Sequence, residues 1–269
     1  MPAARALTAT PAGRVAFVGA GPGQADLITL RGAQRLAQAT VVLSDALADP
    51  ALRELAPQAR WLHVGKRGFA NSTGQEAINA LLIKCAREVG STGLVVRLKG
   101  GDPSVFGRLE EELQAMAAAG IACEVVPGVT AALAAAASAQ RPLTRRGAGR
   151  SISFATAMTA AVGDAHALHA DRNADTEVFY MAGKQLAALS RKLVRAGWPA
   201  ETEVCVVSRA GWPDELTSDH TVTTLSRASM LHAGRPTVVV VGAGAHPLNK
   251  VESPASDKAG APVATALNT

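Results

Sequence analysis

The stretch Gly93-Leu-Val-Val-Arg-Leu98, running into Lys99-Gly100-Gly101-Asp102-Pro103, constrains the fold more than any other part of the chain. A short apolar run with little alternation is the pattern of a strand covered on both faces, which is the situation inside a parallel sheet. It ends in a Gly-Gly-Asp-Pro turn. A helical pattern follows from about Arg108 to Ala119 and stops at Gly120, a residue suited to the left-handed position that closes a helix. The next apolar run, Ile121 to Val126, is closed by Pro127-Gly128. Parallel neighbours need a crossover connection, and a helix is the usual one. The same grammar occurs upstream. A strand at Arg14 to Val18 runs into the loop Gly19-Ala20-Gly21-Pro22-Gly23, and a helix from about Thr29 to Gln38 carries Leu30, Ala33, Leu36 and Ala37 on one face. Thr40 to Ser44 and Trp61 to Val64 read as further strands. Thr73 and Glu76 have the spacing of a capping box that opens an amphipathic helix through Ile78, Leu81, Leu82 and Cys85. Alternation of this kind predicts an α/β fold.

The second half repeats the pattern less regularly. Strands are expected at Ser151 to Thr156, Glu177 to Met181, Glu203 to Val207 and Thr237 to Val241, with a helix from about Lys184 to Ala196 stopping at Gly197. The Thr- and Val-rich segment Thr217 to Leu225 suggests an antiparallel strand. We therefore expect a flexible leader over 1–13, an N-terminal α/β domain over 14–148, a C-terminal α/β domain over 149–246 and a disordered tail over 247–269, where Pro, Ala and Ser dominate without a period.

Composition narrows the function. With 269 residues, 48% hydrophobic and 18% charged, the chain can bury a sizeable core without a disulfide or metal staple. The net charge of +5 suits nucleic acid or a small polyanion, but one Tyr and five Phe are too few for the stacking platforms of single-strand binders. A mildly basic surface accounts for the charge by itself. Cys85, Cys123 and Cys205 form no CxxC pair and are expected to be reduced, buried thiols of a cytoplasmic protein. His166 and His169 lack Cys or acidic partners at zinc-site spacing, so no metal site is expected. The longest small-apolar run, Ala131 to Ala137, is too short to span a bilayer, and the first ten residues have no continuous apolar segment, so neither a membrane span nor a signal peptide is read.

Four motifs carry chemistry. The Gly19 to Gly23 loop invites a dinucleotide reading, but Gln24 occupies the third glycine position and Pro22 removes an N–H that a pyrophosphate would need, so NAD is not expected. Gly100, Gly101 and Asp102 lie beyond the carboxyl end of a buried strand, where open α/β sheets bind ligands. Glycines admit a ligand to the backbone, and a carboxylate can face an amine or cation; an ordinary strand-to-helix turn has the same composition. Pro127-Gly128-Val129-Thr130-Ala131 either caps the Ala-rich helix that follows or presents its N-terminus to a ligand. Finally, Lys66, Arg67, Arg97, Lys99, Arg108, Arg141, Arg145, Arg146 and Arg150 would suit a substrate with many carboxylates if they converge on one cleft; singly, each reads as a solvated charge.

Taken in order, VGAGPGQADLITLRG at Val18 to Gly32, VGKR at Val64 to Arg67, QEAIN at Gln75 to Asn79, VVRLKGGDPSVFGR at Val95 to Arg108, VVPGVTAA at Val125 to Ala132, PLT at Pro142 to Thr144 and VFYMAG at Val178 to Gly183 make the chain resemble the uroporphyrinogen-III C-methyltransferases of the tetrapyrrole methylase group. The resemblance runs from about Arg14 to Ala243. It implies two α/β domains with the cofactor in the cleft between them, usually in a homodimer, and C-methylation of uroporphyrinogen III at two ring carbons, C2 and C7. The products would be precorrin-2 and S-adenosylhomocysteine. By matching position, S-adenosylmethionine would contact Pro22, Gly100, Gly101, Asp102, Val105, Thr130, Ala131, Met181 and Ala210. Asp45 matches the proposed proton acceptor and Lys66 the proposed proton donor; Arg108 and Glu111 face the tetrapyrrole, and Arg145 falls at a substrate-side position.

The chain departs from that pattern at Ser44, where a Tyr is usual, at Arg145, where a His is usual, and at Thr156-Ala157-Met158, where Thr-Gly-His is usual. Ser104 stands where an aromatic is common. These positions bear on the tetrapyrrole rather than the cofactor. They keep open a sister enzyme acting on a later precorrin, or a homologue that holds cofactor but turns over little. The Gly-Thr-Pro and Ser-Asp-Pro-Gly pattern expected of an rRNA methylase of the same fold is not found. With so few residues ahead of the first strand, neither NAD-dependent oxidation nor iron insertion is expected.

Overall fold

The computed structural model describes residues 12–64, 74–158 and 172–248. In chain order its regular elements are β1 (Arg14–Gly19), α1 (Leu30–Ala37), β2 (Val41–Ser44), β3 (Arg60–His63), α2 (Gln75–Glu88), β4 (Leu94–Lys99), α3 (Leu109–Ala118), β5 (Cys123–Val126), α4 (Ala131–Ser138), β6 (Ile152–Thr156), β7 (Thr176–Tyr180), α5 (Leu186–Arg195), β8 (Glu203–Ser208), β9 (Leu216–Thr221) and β10 (Thr237–Gly242). The first five strands form an all-parallel sheet in the order β3-β2-β4-β1-β5. As expected from its composition, β4 is buried along its whole length. Alternate residues feed two cores. Val15, Phe17, Val41, Leu43 and Val95 pack under α2 and α3, while Ala16, Val18, Val42, Val96 and Leu98 face Leu36 of α1 and Leu52 of the short 3-10 segment Pro50–Leu55.

The second sheet has the order β6-β7-β10-β8-β9 and is mixed: β6 and β7 run parallel, and every other neighbour is antiparallel. The expected antiparallel strand near Thr217 is β9. It ends at Thr221, and Leu225 belongs to a separate 3-10 turn, Leu225–Ser229. One face of this sheet packs on α5 through Leu186, Leu189 and Leu193. The other face, with Val178, Cys205, Val207, Val238 and Val240, is covered by Ala132, Ala134 and Ala135 of α4. Thus α4, which follows the first sheet in sequence, packs against the second.

Three local expectations need correction. In α1 the inward residues are Gly32 and Leu36, and Leu30 is 86% exposed. Thr29 caps the helix by accepting from the Gly32 N–H, and Gly32 lies so close to Val18 and Ile28 that a Cβ would meet them at 3.1 and 2.9 Å. Close approach at Gly32 turns Leu30 away from the sheet. The residue capping α2 is Gly74, without a side-chain bond; Thr73 lies outside the described residues. Of the cysteines, Cys85 and Cys205 are buried, but Cys123, at the start of edge strand β5, is exposed. Among the described residues no helix is long and apolar enough to cross a membrane.

Candidate active site

The loops leaving the carboxyl ends of β1, β2, β4 and β5 are tied to one another by backbone groups and two carboxylates. Gly21 and Gly101 form an isolated antiparallel bridge. Asp45, just after β2, accepts from the N–H groups of Leu47 and Ala48 through Oδ1 (2.9 and 3.2 Å) and from Gly100 through Oδ2 (2.9 Å). Asp102 accepts from the N–H and hydroxyl of Ser104 through Oδ1, and from the Gly128 N–H through Oδ2 at 2.9 Å. A Cβ on Gly128 would lie 2.3 Å from the Gly101 carbonyl oxygen and 2.8 Å from Gly19 Cα, so only glycine allows these three turns to meet. Thr130 stands at the N-cap of α4 but makes no capping bond. Its hydroxyl lies 2.8 Å from the Tyr180 hydroxyl, a buried contact from one half of the chain to the other. Burial raises the Tyr180 pKa above the ordinary tyrosine range, so the phenol stays protonated and able to donate.

These turns border a cavity of about 690 Å3 whose lining comes from both halves. Pro22, Gly100, Gly101, Asp102, Val105, Thr130, Ala131, Met181 and Ala210 all line it, together with Asp45 and Arg108. Lys66 lies outside the described residues. The volume falls in the range of small-molecule sites, about 300–1,000 Å3. Residues that sequence reasoning passed over also line it: Phe106, Tyr180, Arg209, Trp212 and Thr237. Tyr180 is packed between Phe106 and Phe154, at ring-centroid distances of 5.0 and 5.7 Å. Phe106, Arg108, Met181 and Arg209 hold left-handed backbone conformations, with φ of 53, 54, 56 and 53°. Such conformations cost energy in residues with side chains and gather where a site demands a particular backbone path.

The basic residues do not converge as a free cluster. Arg97 and Lys99 project from β4 onto buried Glu112 of α3, at 2.9 and 2.5 Å. Burial, and then the Arg97 charge, push Lys99 below the ordinary lysine range, opposed by Glu112. Arg108 is held by Glu111 at 2.6 Å on the exposed rim, which keeps the Glu111 carboxyl below its usual range; Glu111 is not part of the cavity lining. Arg141 pairs with Asp219 of β9 at 2.5 Å. Arg145 turns from the cavity to the carbonyls of Ala243 and His246, and its backbone bridges Gly149. The expectation that Arg141 and Arg145 share the cleft with Arg108 is therefore replaced by a structural role: both clamp the segment after α4 to the second sheet.

The cavity is built on the Gly-Gly-Asp-Pro and Pro-Gly-Val-Thr turns, and residues of the second half complete its lining. Residues 14–226 match the family model described as Tetrapyrrole (Corrin/Porphyrin) Methylases. The chain belongs to the tetrapyrrole methylase family. It is 44% identical over 208 residues to a uroporphyrinogen-III C-methyltransferase of Paracoccus denitrificans, covering 76% of this chain and 71% of that one. It is also 43% identical over 242 residues to a siroheme synthase of Sodalis glossinidius, covering 88% of this chain and 50% of that one. The chain thus spans about half the length of such synthases. A crystal structure of uroporphyrin-III C-methyl transferase from Thermus thermophilus complexed with S-adenyl homocysteine superposes with a TM-score of 0.73. It is 34% identical and covers 86% of this chain and 97% of that one.

Proposed function

We propose that this tetrapyrrole methylase transfers methyl groups from S-adenosylmethionine to C2 and C7 of uroporphyrinogen III, forming precorrin-2 and S-adenosylhomocysteine. The observation that carries the reading is the convergence of Pro22, the Gly100–Asp102 turn, Val105, Thr130, Ala131, Met181 and Ala210 on one cavity, with Asp45 and Arg108 on the same lining. These residues fit a nucleoside sulfonium: Val105, Ala131, Met181 and Ala210 offer apolar wall, and the glycine turns bring backbone groups to the surface of the site. When bound, adenosylmethionine supplies an electrophilic methyl to an electron-rich pyrrole carbon. The residues of the chain do the positioning, since the effective concentration of reactants held in line is the larger part of such catalysis.

Asp45 fits the proton acceptor: its carboxylate is fixed by three N–H donors, which leaves a lone pair for a proton released by the methylated ring. Lys66 is proposed as the proton donor. Arg108, on the cavity lining and exposed, is suited to an acidic arm of the substrate, for which it would exchange or share Glu111. The active unit is proposed to be a cytoplasmic homodimer. A later precorrin is the second reading, supported by the departures at Ser44, Arg145 and Thr156-Ala157-Met158. Product mass after incubation with uroporphyrinogen III and adenosylmethionine decides between them. Two added methyl groups are expected; an unmodified substrate, with methylation of precorrin-2 instead, overturns the first reading.

A further inference from the structure

Beside the main cavity lies a smaller annex of about 370 Å3. Asp45, Ala46, Ala48 and Pro50 line both, so the two spaces adjoin along the segment that follows β2. The annex adds Ser44, Asp49, Arg53, Trp61 and His63. The cations on the main cavity already face carboxylates: Arg97 and Lys99 share Glu112, Arg108 holds Glu111, and Arg209 holds Asp214. Arg53 is different. Among the described residues it makes no ion pair, and its contacts are an aromatic face, Trp61, with the guanidinium carbon 5.5 Å from the ring centroid, and a ring nitrogen of His63.

That nitrogen fixes a chain of donors. Arg53 Nη2 lies 2.8 Å from His63 Nε2, and a guanidinium can only donate, so Nε2 accepts. The ring hydrogen then sits on Nδ1 and is donated to Ser44 Oγ at 2.9 Å, which leaves the Ser44 hydroxyl with a hydrogen of its own to give. The guanidinium is held on one side, and among the described residues most of its N–H groups have no partner. The two acids of the annex are already engaged: Asp49 accepts from the N–H groups of Ala25 and Ala51, and Asp45 from those of Leu47, Ala48 and Gly100. Ser44 also matters by its size, since it stands where the resemblance leads one to expect tyrosine, and its small side chain accepts from His63 without filling the space.

We propose that the annex is a subsite for one carboxylate arm of the tetrapyrrole, anchored by Arg53, with His63 and Ser44 as positioning residues. It rests on the tetrapyrrole reading given above. A planar guanidinium oriented on one edge presents paired donors at the spacing of a carboxylate, which a lysine does not reproduce. The arm would fix the orientation of the macrocycle against the methyl-donor cavity, and so determine which ring carbon is presented.

The test uses the full chain with uroporphyrinogen III as substrate, comparing wild type with Arg53→Gln, Arg53→Lys and His63→Ala. Arg53 is exposed, so the variants are expected to fold. Arg53→Gln is expected to raise KM by about tenfold, the loss of one charge-assisted contact, with kcat and the S-adenosylhomocysteine Kd within about twofold of wild type. Arg53→Lys should recover part of the loss, and His63→Ala should raise KM less than Arg53→Gln. Direct titration with uroporphyrin III, followed by fluorescence quenching, should give the same ranking. An unchanged KM in Arg53→Gln overturns the subsite and leaves the methyltransferase reading standing. Loss of S-adenosylhomocysteine binding in that variant also overturns it, because the effect would then be structural. A wild-type chain that does not methylate uroporphyrinogen III overturns both readings.

Discussion

Asp45 and Asp102 direct their carboxylates mainly at backbone N–H groups, and that gives them separable consequences. Asp45 joins the turn after β2 to the turn after β4, while Asp102 joins the turn after β4 to the one after β5. Asp45→Asn must point an amide NH2 at one of the N–H groups that the carboxylate now accepts, a local cost of about 1–3 kcal/mol. If Asp45 also receives the ring proton, kcat should fall on the order of a hundredfold or more, while the S-adenosylhomocysteine Kd rises by no more than about tenfold. Asp102→Ala is the comparison: it frees the Gly128 turn and should weaken S-adenosylhomocysteine with a smaller effect on turnover of bound substrate. Calorimetry beside single-turnover rates reads both quantities, and an Asp45→Asn enzyme with normal kcat ends the proton-acceptor assignment. Asp102 was legible in the sequence because it sits in the Gly-Gly-Asp-Pro turn, whereas Asp45 was singled out only by the family resemblance. The left-handed conformations of Phe106, Arg108, Met181 and Arg209 were not legible. A non-glycine residue is placed there by contacts distant in sequence, and its side chain carries no mark of the backbone it will adopt.

At the level of elements, strands buried on both faces were readable as apolar runs, and the first sheet follows them. Apart from β9, which was expected to be antiparallel, the mixed direction of the second sheet was not readable, because an apolar run has the same composition whether its neighbour is parallel or antiparallel. The same limit hid which sheet α4 covers, because its run of alanines has no polar face to indicate it. A polar element was hidden too. His232 is fully buried between β8, β9 and β10, with Nδ1 2.6 Å from Ser208 Oγ and Nε2 2.8 Å from Ser218 Oγ. Thr237 donates to the Arg235 carbonyl, so it accepts from Ser208, and Ser208 accepts from Nδ1–H; Ser218 Oγ stands between His232 Nε2 and His220 Nε2, 2.8 Å from each. Burial, with the charges of His220 and Arg235, lowers the His232 pKa to about 4. A group that binds its proton more weakly when folded gives full stability above the unfolded histidine pKa, about 6.5, and loses it as pH falls toward 4. Between pH 7 and 4.5 this amounts to about 2–3 kcal/mol. Urea denaturation should show His232→Gln losing less stability than wild type over that interval by about this amount. Parallel losses in the two proteins would mean that other groups carry the acid sensitivity.

For the whole molecule, the question is what holds the two sheets around one cavity. Three contacts bracket it: α4 against the second sheet, the Thr130–Tyr180 hydroxyl pair, and the meeting of the Pro22–Gly23 turn with Gly211. The last explains why the Gly19–Gly23 loop looked like a weak dinucleotide fingerprint. Gly23 has φ +99°, and a Cβ there would lie 2.4 Å from the Gly211 carbonyl oxygen, the same oxygen that accepts from the Gln24 N–H at 3.0 Å. That glycine serves the approach of one half to the other, a requirement that exists only in the assembled fold. Gly90 supplies a control, since its φ is +68° but a Cβ would meet nothing within 4 Å. Gly90→Ala and Gly23→Ala therefore share the backbone penalty of about 1 kcal/mol, and only the second adds a steric conflict between the halves. Gly90→Ala should lower Tm by about 2–4 °C and leave S-adenosylhomocysteine affinity unchanged. Gly23→Ala should lower Tm further and weaken that affinity by about tenfold or more, because Pro22 and Ala210 both line the cavity and lie beside the displaced contact. Equal ligand affinity in the two variants would show that the ligand site does not depend on how the halves meet. A loss confined to Gly23→Ala would locate the site between them.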